Sequence, residues 1–259
     1  MAKAHFTLQG KGGVGKSLVS ALIAQHRHEN NIPLICVDTD PVNATFAGYD
    51  AFPVKRVELM NGNKIDEAEF DRLMEMIAEN PDSEIVIDNG ASSFIPLSSY
   101  LVENQAIELL QEMGHQIVIH PVITGGQALM DTLTGFDSLA HQFPETAEIV
   151  VWLNQYFGDI EKDGKTFEQM KVYQNHKSRV NGIINIKKQS DLFGRDVKHM
   201  LESRQTFDQA MQSEEYNFMS KNRLRMMKKD LWEQMDLVLG LPMQKKAADK
   251  KQEKVSDAT

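Results

Sequence analysis

Residues 10–17 have the sequence GKGGVGKS and match the phosphate-loop pattern G-x-x-x-x-G-K-[ST] at every fixed position. The flanking sequence supplies the context that this pattern requires. Residues 5–8 (HFTL) are typical of a short strand that enters the loop, and residues 18–28 (LVSALIAQHRH) are typical of a helix that leaves it. The stretch therefore predicts a strand, a phosphate-binding loop and a helix, in that order.

The chemistry of the loop follows from its glycines. Glycine adopts positive φ angles without steric cost, so successive backbone N–H groups turn into one concavity, and the N-terminus of the next helix adds partial positive charge. This arrangement suits a polyphosphate, with Lys16 neutralising the β- and γ-phosphates of a nucleotide and the Ser17 hydroxyl coordinating Mg²⁺. The alternative is a glycine-rich turn that matches by chance, which would not explain the flanking strand and helix. The residues predicted to contact the nucleotide here are Gly12, Gly13, Val14, Gly15, Lys16 and Ser17.

Lys11 is a second lysine in the loop, and the fold of the loop does not need its side chain. It is therefore either a solvated surface charge or a donor aimed at the nucleotide. Residues 11–17 (KGGVGKS) are similar to the deviant phosphate loop of the ParA/MinD family of ATPases. In that family the corresponding lysine reaches across a dimer to the nucleotide held by the partner subunit. The resemblance implies that Lys11 is catalytic and that ATP binding and dimerisation are one event.

The length and composition are those of a soluble globular protein. A chain of 259 residues allows one large α/β domain or two small ones, and its hydrophobic (41%) and charged (25%) contents are ordinary. No apolar run approaches the length of a membrane span, and the phosphate loop begins too early for a cleaved signal peptide. We therefore expect a cytoplasmic protein without membrane insertion. Cys36 is the only cysteine, which excludes an intrachain disulfide, and the net charge of −9 disfavours general nucleic-acid binding.

A second candidate segment follows residues 33–37 (PLICV), which are typical of a strand buried on both faces of a parallel sheet. Carboxylates at the carboxyl end of such a strand lie in the crevice where open α/β sheets bind ligands. A plain turn is the alternative, because Asp and Pro are turn formers. Residues 38–46 (DTDPVNATF) resemble the first switch region of the ParA/MinD family. The resemblance implies that Asp40 orients the attacking water and that Asp38 helps to organise Mg²⁺.

Residues 84–90 (EIVIDNG) form a third candidate segment, an apolar strand closed by an aspartate and a glycine. This is the Walker-B arrangement, in which Asp88 holds Mg²⁺ through a water and the Gly90 N–H meets the γ-phosphate. A hydrophobic strand that ends in Asp is common, so the assignment depends on the phosphate loop upstream. ParA/MinD proteins more often carry prolines after this aspartate, and residues 89–93 (NGASS) therefore mark a divergent branch.

Strands and helices alternate along the rest of the chain. We expect helices over residues 66–79, 98–113 and 126–141, and strands over residues 54–57, 116–122, 148–154 and 180–186. Asn154, at the end of a strand, is either a turn former or, by the family resemblance, the residue that hydrogen-bonds the adenine ring. The alternation predicts a doubly wound, mostly parallel sheet flanked by helices, the α/β fold of the P-loop NTPases.

The last third of the chain is predicted to be mostly helical, over residues 191–211 and 216–239. Its basic residues between Lys221 and Lys229 have three interpretations: a solvated helix face, a DNA-contacting patch or a membrane-surface helix. Interspersed carboxylates favour the solvated face. Residues 1–243 are predicted to form one ATPase domain, and residues 244–259 a polar, disordered tail unlike the amphipathic membrane helix that ends MinD proteins.

Three hypotheses for function follow. The first is a Mg²⁺-dependent ATPase that closes as an ATP-dependent homodimer, is recognised by an unidentified activating or cargo protein, and reopens after slow hydrolysis. The second is a nucleotide-gated scaffold that barely hydrolyses ATP, and a small-molecule phosphotransferase without a visible acceptor site is a third possibility. KGGVGKSLVSALIAQ, VDTDPVNATF and IDNGASSF resemble the TraL-type group of the family, which implies a role in plasmid conjugative transfer or partition.

Overall fold

The computed structural model describes residues 2–40, 43–61 and 64–240. The strands are β1 (Lys3–Thr7), β2 (Leu34–Asp38), β3 (Val54–Arg56), β4 (Met60–Asn61), β5 (Lys64–Ile65), β6 (Glu84–Asp88), β7 (Gln116–His120), β8 (Val122–Thr124), β9 (Glu148–Asn154), β10 (Glu161–Lys162), β11 (Lys165–Thr166) and β12 (Val180–Ile186). Eight of them form one sheet in the order β12-β9-β7-β1-β6-β2-β3, with β8 paired to β9, and all these pairings are parallel. Two short antiparallel pairs, β4 with β5 and β10 with β11, lie outside this sheet.

Helices cover both faces of the sheet. They are α1 (Lys16–Glu29), α2 (Glu67–Ala78), α3 (Phe94–Glu103), α4 (Ala106–Glu112), α5 (Leu129–Gln142), α6 (Lys171–His176), α7 (Asp191–Glu202), α8 (Phe207–Gln212) and α9 (Phe218–Leu239). One core lies under α2 to α5 and includes Phe6 and Phe136. A second core, on the opposite face, lies under α1 and α7 to α9 and includes Leu22 and Trp152. The prediction of a doubly wound, parallel α/β fold is confirmed.

The register of the sheet determines which side chains meet at its carboxyl edge. Asp38 at the end of β2 is the direct neighbour of Asp88 at the end of β6, and Thr7 at the end of β1 is the neighbour of Asp88 on the other side. Because the strands are parallel, their carboxyl ends share one edge. The phosphate loop leaves β1 at this edge, directly after Thr7.

Three predicted elements are interrupted in the structure. The helix predicted over residues 191–211 is divided into α7 and α8, because Arg204 between them adopts a left-handed φ of 51°. The single helix predicted over residues 98–113 is two helices, α3 and α4, because Gln105 adopts a left-handed φ of 50° that a continuing helix does not allow. The first of them begins at Phe94, ahead of the predicted start. The strand predicted over residues 116–122 ends at His120, because Pro121 has no N–H to donate to a neighbouring strand.

Strands β10 and β11 form a small hairpin. Asp163 and Gly164 connect β10 to β11 with positive φ angles of 51° and 72°. These are the angles of the two-residue turns that match the twist of paired strands, and Asp-Gly is a common sequence for them. The sequence contained this turn signal, but the flanking strands are too short to show a pattern of alternation.

Intramolecular contacts engage part of the basic segment of α9. Lys228 Nζ lies 2.8 Å from Glu29 Oε2 of α1 and 2.6 Å from Asp208 Oδ1 of α8. Arg223 is paired with Asp196 of α7. These two cations therefore attach α9 to its neighbours, and with side chains only 16% and 17% exposed they belong neither to a solvated face nor to a DNA-contacting patch.

The last turn of α9 is attached to the other edge of the sheet. Lys3 Nζ donates to the Leu239 carbonyl at 2.8 Å, and Arg27 of α1 donates to the Gly240 carbonyl at 2.7 Å. These bonds satisfy carbonyl groups that a helix end leaves without intrahelical partners. The tail predicted at residues 244–259 and Pro41 of the second candidate segment lie outside the described residues.

Candidate functional site

The phosphate loop has the backbone that its glycines predicted. Gly13 and Gly15 have φ angles of 74° and 103°, in the left-handed region that glycine favours. Gly15 is also the residue that precedes α1, so the free N–H groups of the first helical turn begin directly after it. Val14 is buried between these glycines and anchors the loop to the core. The loop therefore forms a rigid turn at the start of a helix.

Lys16 is buried and points back into the loop. Its Nζ donates to the Lys11 carbonyl at 3.1 Å. Burial lowers the pKa of Lys16, while the negative charges of Asp88 and Asp40 act in the opposite direction. A cation held in this way offers its charge to an anion inside the loop rather than to bulk water.

Asp88 lies next to this lysine with one carboxylate oxygen unpartnered. Ser20 donates to Oδ1 at 3.1 Å, but the buried Oδ2 has no hydrogen-bond partner within the described part of the chain. Burial raises the pKa of Asp88 to about 7, and the Asp38 charge acts in the same direction. The Ser17 and Ser20 hydroxyls and the charge of Lys16 oppose the shift. Such a carboxylate is costly to bury without a compensating cation.

Asp38 is held by backbone N–H groups from its own segment. Its Oδ1 accepts from the Asp40 N–H at 3.0 Å, and its Oδ2 accepts from the Ala47 N–H at 2.9 Å. Burial raises the pKa of Asp38, and these two hydrogen bonds oppose the rise. The carboxylate therefore has a fixed orientation next to Asp88.

Asp40 packs directly against Gly90. A Cβ atom on Gly90 would lie 3.1 Å from both Cα and Cγ of Asp40, so a side chain at this position would require Asp40 to shift by a few tenths of an ångström. The Oδ1 atom of Asp40 also accepts a hydrogen bond from the Asn43 N–H at 3.0 Å. The second and third candidate segments are thus in contact at the carboxyl edge of the sheet.

Lys11 is paired with a carboxylate of the same chain. Its Nζ lies 2.8 Å from Oδ2 of Asp131, in the first turn of α5, and the two side chains are 47% and 56% exposed. Exposed ion pairs of this kind contribute about 0–1 kcal/mol. Lys11 is therefore held in place by a contact that is easily exchanged for another anion.

Asn154 is buried, and its amide contacts the phosphate loop. Its Nδ2 donates to the Val14 carbonyl at 2.9 Å, and its Oδ1 accepts from the Tyr156 N–H at 3.2 Å. A cavity of about 580 Å³ opens beside this contact, within the size range of small-molecule sites. Its lining includes Gly15, Leu18, Asn154, Phe157, Lys188 and Val197.

The structure brings the predicted site residues of the loop and the strand ends to one edge of the sheet, and it adds residues that the sequence did not indicate. Ser20 follows Lys16 by one helical turn, so its position facing β6 could have been inferred from helix geometry. Asp131 and Asn89 carried no comparable signal. Lys11, which pairs with Asp131, and Thr39, which contacts Asn89, are both far away in sequence from these residues.

Comparisons with known proteins agree on the type of domain. A family model described as the CobQ/CobB/MinD/ParA nucleotide binding domain matches residues 6–221. Two Escherichia coli proteins, each named Protein TraL, are 54% and 51% identical to this chain over 237 residues. The match covers 91% of this chain and 98% of each relative.

Solved structures of MinD proteins share the fold. The MinC:MinD cell division protein complex of Aquifex aeolicus gives a TM-score of 0.51 at 13% identity, over 90% of this chain and 96% of that chain. The septum site-determining protein MinD of Pyrococcus horikoshii, complexed with Mg-ADP, gives 0.51 at 14% identity, over 93% and 98%. In the described ranges, none of the helices combines the length and the apolar character needed to cross a membrane.

Proposed function

Because this chain belongs to the CobQ/CobB/MinD/ParA nucleotide-binding family, we propose that it is a Mg²⁺-dependent ATPase that acts as a dimerisation switch. In the proposed cycle, ATP closes two copies of the chain face to face, and an activating or cargo protein recognises the closed state. Slow hydrolysis to ADP and phosphate then reopens the dimer. The identity to the two TraL proteins supports a role in plasmid conjugative transfer.

The observation that carries the proposal is the unpartnered, buried Oδ2 of Asp88 beside the phosphate loop. Carboxylate and hydroxyl oxygens are the ligands that Mg²⁺ takes in proteins, together with water and phosphate. Asp88, Asp38 and Ser17 supply this donor set, so the residues fit the ion. When bound, Mg²⁺ would neutralise charge on the β- and γ-phosphates.

The remaining site residues have complementary roles in this proposal. The loop N–H groups and the Lys16 ammonium bind the phosphates, and the Gly90 N–H meets the γ-phosphate. Asp40, fixed by the Asn43 N–H, orients the attacking water. The 580 Å³ cavity accepts the nucleoside. Contact between Asn154 and the adenine ring requires its amide to turn from the Val14 carbonyl to the base.

Dimerisation depends on Lys11 in this proposal. Its pairing with Asp131 is an exposed contact of low stability, so the triphosphate bound by a second copy can replace that carboxylate. The ammonium would then belong to the partner's nucleotide site, and the dimer would form only when a triphosphate is present.

The Asp40→Ala variant tests hydrolysis. We expect phosphate release to fall by at least about 100-fold, because the water loses its orienting group, while ATP-dependent dimers persist. Asp50→Ala, at an exposed aspartate of the same segment, is the matched control and should keep wild-type turnover. Unchanged phosphate release in Asp40→Ala would favour the nucleotide-gated scaffold. Product analysis that finds only free phosphate eliminates the phosphotransferase.

Light scattering coupled to size-exclusion chromatography tests the dimer with the same proteins. Wild-type protein should be monomeric with ADP and dimeric with a slowly hydrolysed ATP analogue. Lys11→Ala should bind the analogue and stay monomeric. A wild-type monomer with the analogue bound contradicts the proposed switch and leaves a purine-nucleotide binder.

A further inference from the structure

We propose that Asn89 is a positioning residue that couples two segments of the nucleotide site so that they move as one unit. The first switch segment comprises residues 38–40 and 43–47, which carry Asp38 and Asp40. The second switch segment comprises residues 88–97, which carry Asp88 and Gly90. The coupling itself is a property of the chain, and only its use as a response to ATP rests on the proposed function.

The Asn89 side chain is buried and joins both segments through one oxygen atom. Its Oδ1 lies 3.1 Å from the Thr39 hydroxyl and 2.9 Å from the Ser93 hydroxyl, and both of these residues are also buried. An amide oxygen has two lone pairs, so it can accept from both hydroxyls at the same time. Thr39 belongs to the first segment and Ser93 to the second. The oxygen is therefore a shared acceptor between them.

The orientation of the Asn89 amide follows from its other contact. Its Nδ2 donates to the Gly90 carbonyl at 3.0 Å. A carbonyl group can only accept, so the amide nitrogen must face it and the amide oxygen must face the two hydroxyls. A flipped amide would place two acceptors against each other. The shared oxygen is thus fixed by the chemistry of its neighbours.

Backbone contacts reinforce the same connection. The Thr39 N–H donates to the Asp88 carbonyl at 2.9 Å, and Gly90 packs on Asp40. The single hydroxyl proton of Thr39 is shared between Asn89 Oδ1 and the Asp88 carbonyl, 3.0 Å away, so both of its acceptors belong to the second segment. Buried hydrogen bonds resist opening, because a donor or acceptor left unpaired away from water is costly. A displacement of the Gly90 backbone is therefore transmitted through Asn89 and Thr39 to the neighbouring Asp40.

Amide hydrogen exchange on the nucleotide-free full chain tests this coupling. Ser93→Ala removes one hydroxyl from the second segment, and Ser93 makes no side-chain cap bond to α3, so the helix start keeps its backbone contacts. We expect amides of the first segment, such as that of Ala47, to exchange about five-fold faster in this variant. Thr39→Val should accelerate exchange in residues 91–97 in the same way. Thr39→Ser, which keeps the hydroxyl, should restore the wild-type rates.

Ser98→Ala is the matched control. Ser98 is a buried serine of α3, the helix that begins directly after Ser93, and its hydroxyl has no hydrogen-bond partner among the described residues, so its removal should leave the first segment unchanged. Acceleration confined to the segment that carries each substitution would overturn the proposal. If Thr39→Val does not fold, the Ser93→Ala experiment decides alone.

The same measurement separates this inference from the proposed function. Wild-type protein with ADP and with a slowly hydrolysed ATP analogue should show different exchange in both segments. If neither nucleotide changes exchange while Ser93→Ala still accelerates the first segment, the coupling stands and the ATP switch fails. If the nucleotides act but Ser93→Ala stays local, the coupling fails and the ATP switch stands.

Discussion

Strand β6 carries a buried carboxylate at each end, and the two ends differ in how that carboxylate is paired. Glu84 and Asp88 lie four residues apart, so they point to the same face of the sheet. Burial raises the pKa of Asp88 to about 7, and one of its oxygens has no hydrogen-bond partner in the described chain. The pKa of Glu84 is held below its ordinary value. The difference separates a carboxylate positioned for a ligand from one that stabilises the fold.

Glu84 is compensated by two basic groups. Its Oε2 lies 2.8 Å from Arg27 Nε and 3.0 Å from His5 Nε2. Burial alone would raise the pKa of Glu84, but the hydrogen bond from His5 and the charge of Arg27 more than offset it. The carboxylate therefore stays ionised inside the protein. No comparable cation contacts the Oδ2 of Asp88 among the described residues.

Two histidines form an ordered chain of donors and acceptors that leads from Glu84 toward the carboxyl edge of the sheet. The Trp152 indole N–H lies 3.0 Å from His120 Nδ1, and His120 Nε2 lies 2.9 Å from His5 Nδ1. Because an indole can only donate, His120 Nδ1 accepts, His120 Nε2 donates to His5, and His5 Nε2 donates to Glu84. Burial lowers the pKa of both histidines, which fits this neutral arrangement.

The largest expected effect on stability comes from removing the carboxylate of Glu84. Glu84→Gln leaves the buried Arg27 without its carboxylate, and we expect the free energy of unfolding to fall by about 3–5 kcal/mol. Urea denaturation at pH 7.5 measures this change. Glu69→Gln removes the carboxylate of an exposed ion pair with Arg72 and should change stability by less than about 1 kcal/mol. Equal losses in the two variants would show that the Glu84 cluster has no special role.

Substitution of Asp88, at the other end of β6, should change the stability in the opposite direction. Asp88→Asn removes a charge that burial destabilises, so the nucleotide-free protein should gain about 1–3 kcal/mol of stability at pH 8. The same variant should lose Mg²⁺-dependent nucleotide binding, as measured by titration calorimetry. A loss of stability would mean that Asp88 is as well compensated as Glu84, and the contrast between the two ends would disappear.

The stability that Asp88→Asn gains should depend on pH. An unfolded chain releases the Asp88 proton near pH 4, whereas the folded protein keeps it until about pH 7. In that window the folded state binds more protons, so Asp88 makes the wild-type protein less stable as the pH rises. The advantage of Asp88→Asn should therefore be near zero at pH 4 and reach its full size above pH 7. His5 and His120 contribute the opposite slope below about pH 6.5, equally in both proteins.

The smallest expected effect on stability comes from removing the Ser20 hydroxyl, which donates to Asp88. The Ser20 hydroxyl lies 2.9 Å from Thr7 Oγ1 and 3.1 Å from Asp88 Oδ1. Ser20→Ala should cost about 1 kcal/mol in urea denaturation, because it removes a buried hydrogen-bond donor. Ser99→Ala, at an exposed helical position, should be close to neutral. A Ser20→Ala protein as stable as wild type would mean that Asp88 receives no useful hydrogen bond from α1.

Much of the fold and of the candidate site could be predicted from local sequence. The phosphate loop has fixed spacing, and DTDP and IDNG follow apolar segments whose pattern gives the strands to which they belong. Parallel pairing then places Asp38 and Asp88 at one edge, as the register shows. The resemblance to the ParA/MinD family and the parallel α/β fold are confirmed. The chemical roles of the individual site residues stay predictions.

Contacts between distant segments could not be predicted. His5 and His120 are 115 residues apart and meet only because β1 pairs with β7 in a particular register. The pairing of Lys11 with Asp131 depends on where α5 begins after Pro121, β8 and a short turn. The break between α3 and α4 lies at Gln105, and the helical sequence pattern around this residue gives no sign of its left-handed φ.

The attachment of the last turn of α9 to Lys3 and Arg27 has a practical consequence. It brings residues 3 and 240 together at the amino edge of the sheet, roughly one strand length, ~15 Å, from the phosphate loop. A fluorophore or surface tether fixed at this corner should leave the nucleotide edge accessible to a second molecule. Single-molecule colocalisation could then count how many copies assemble, without a probe at the nucleotide edge.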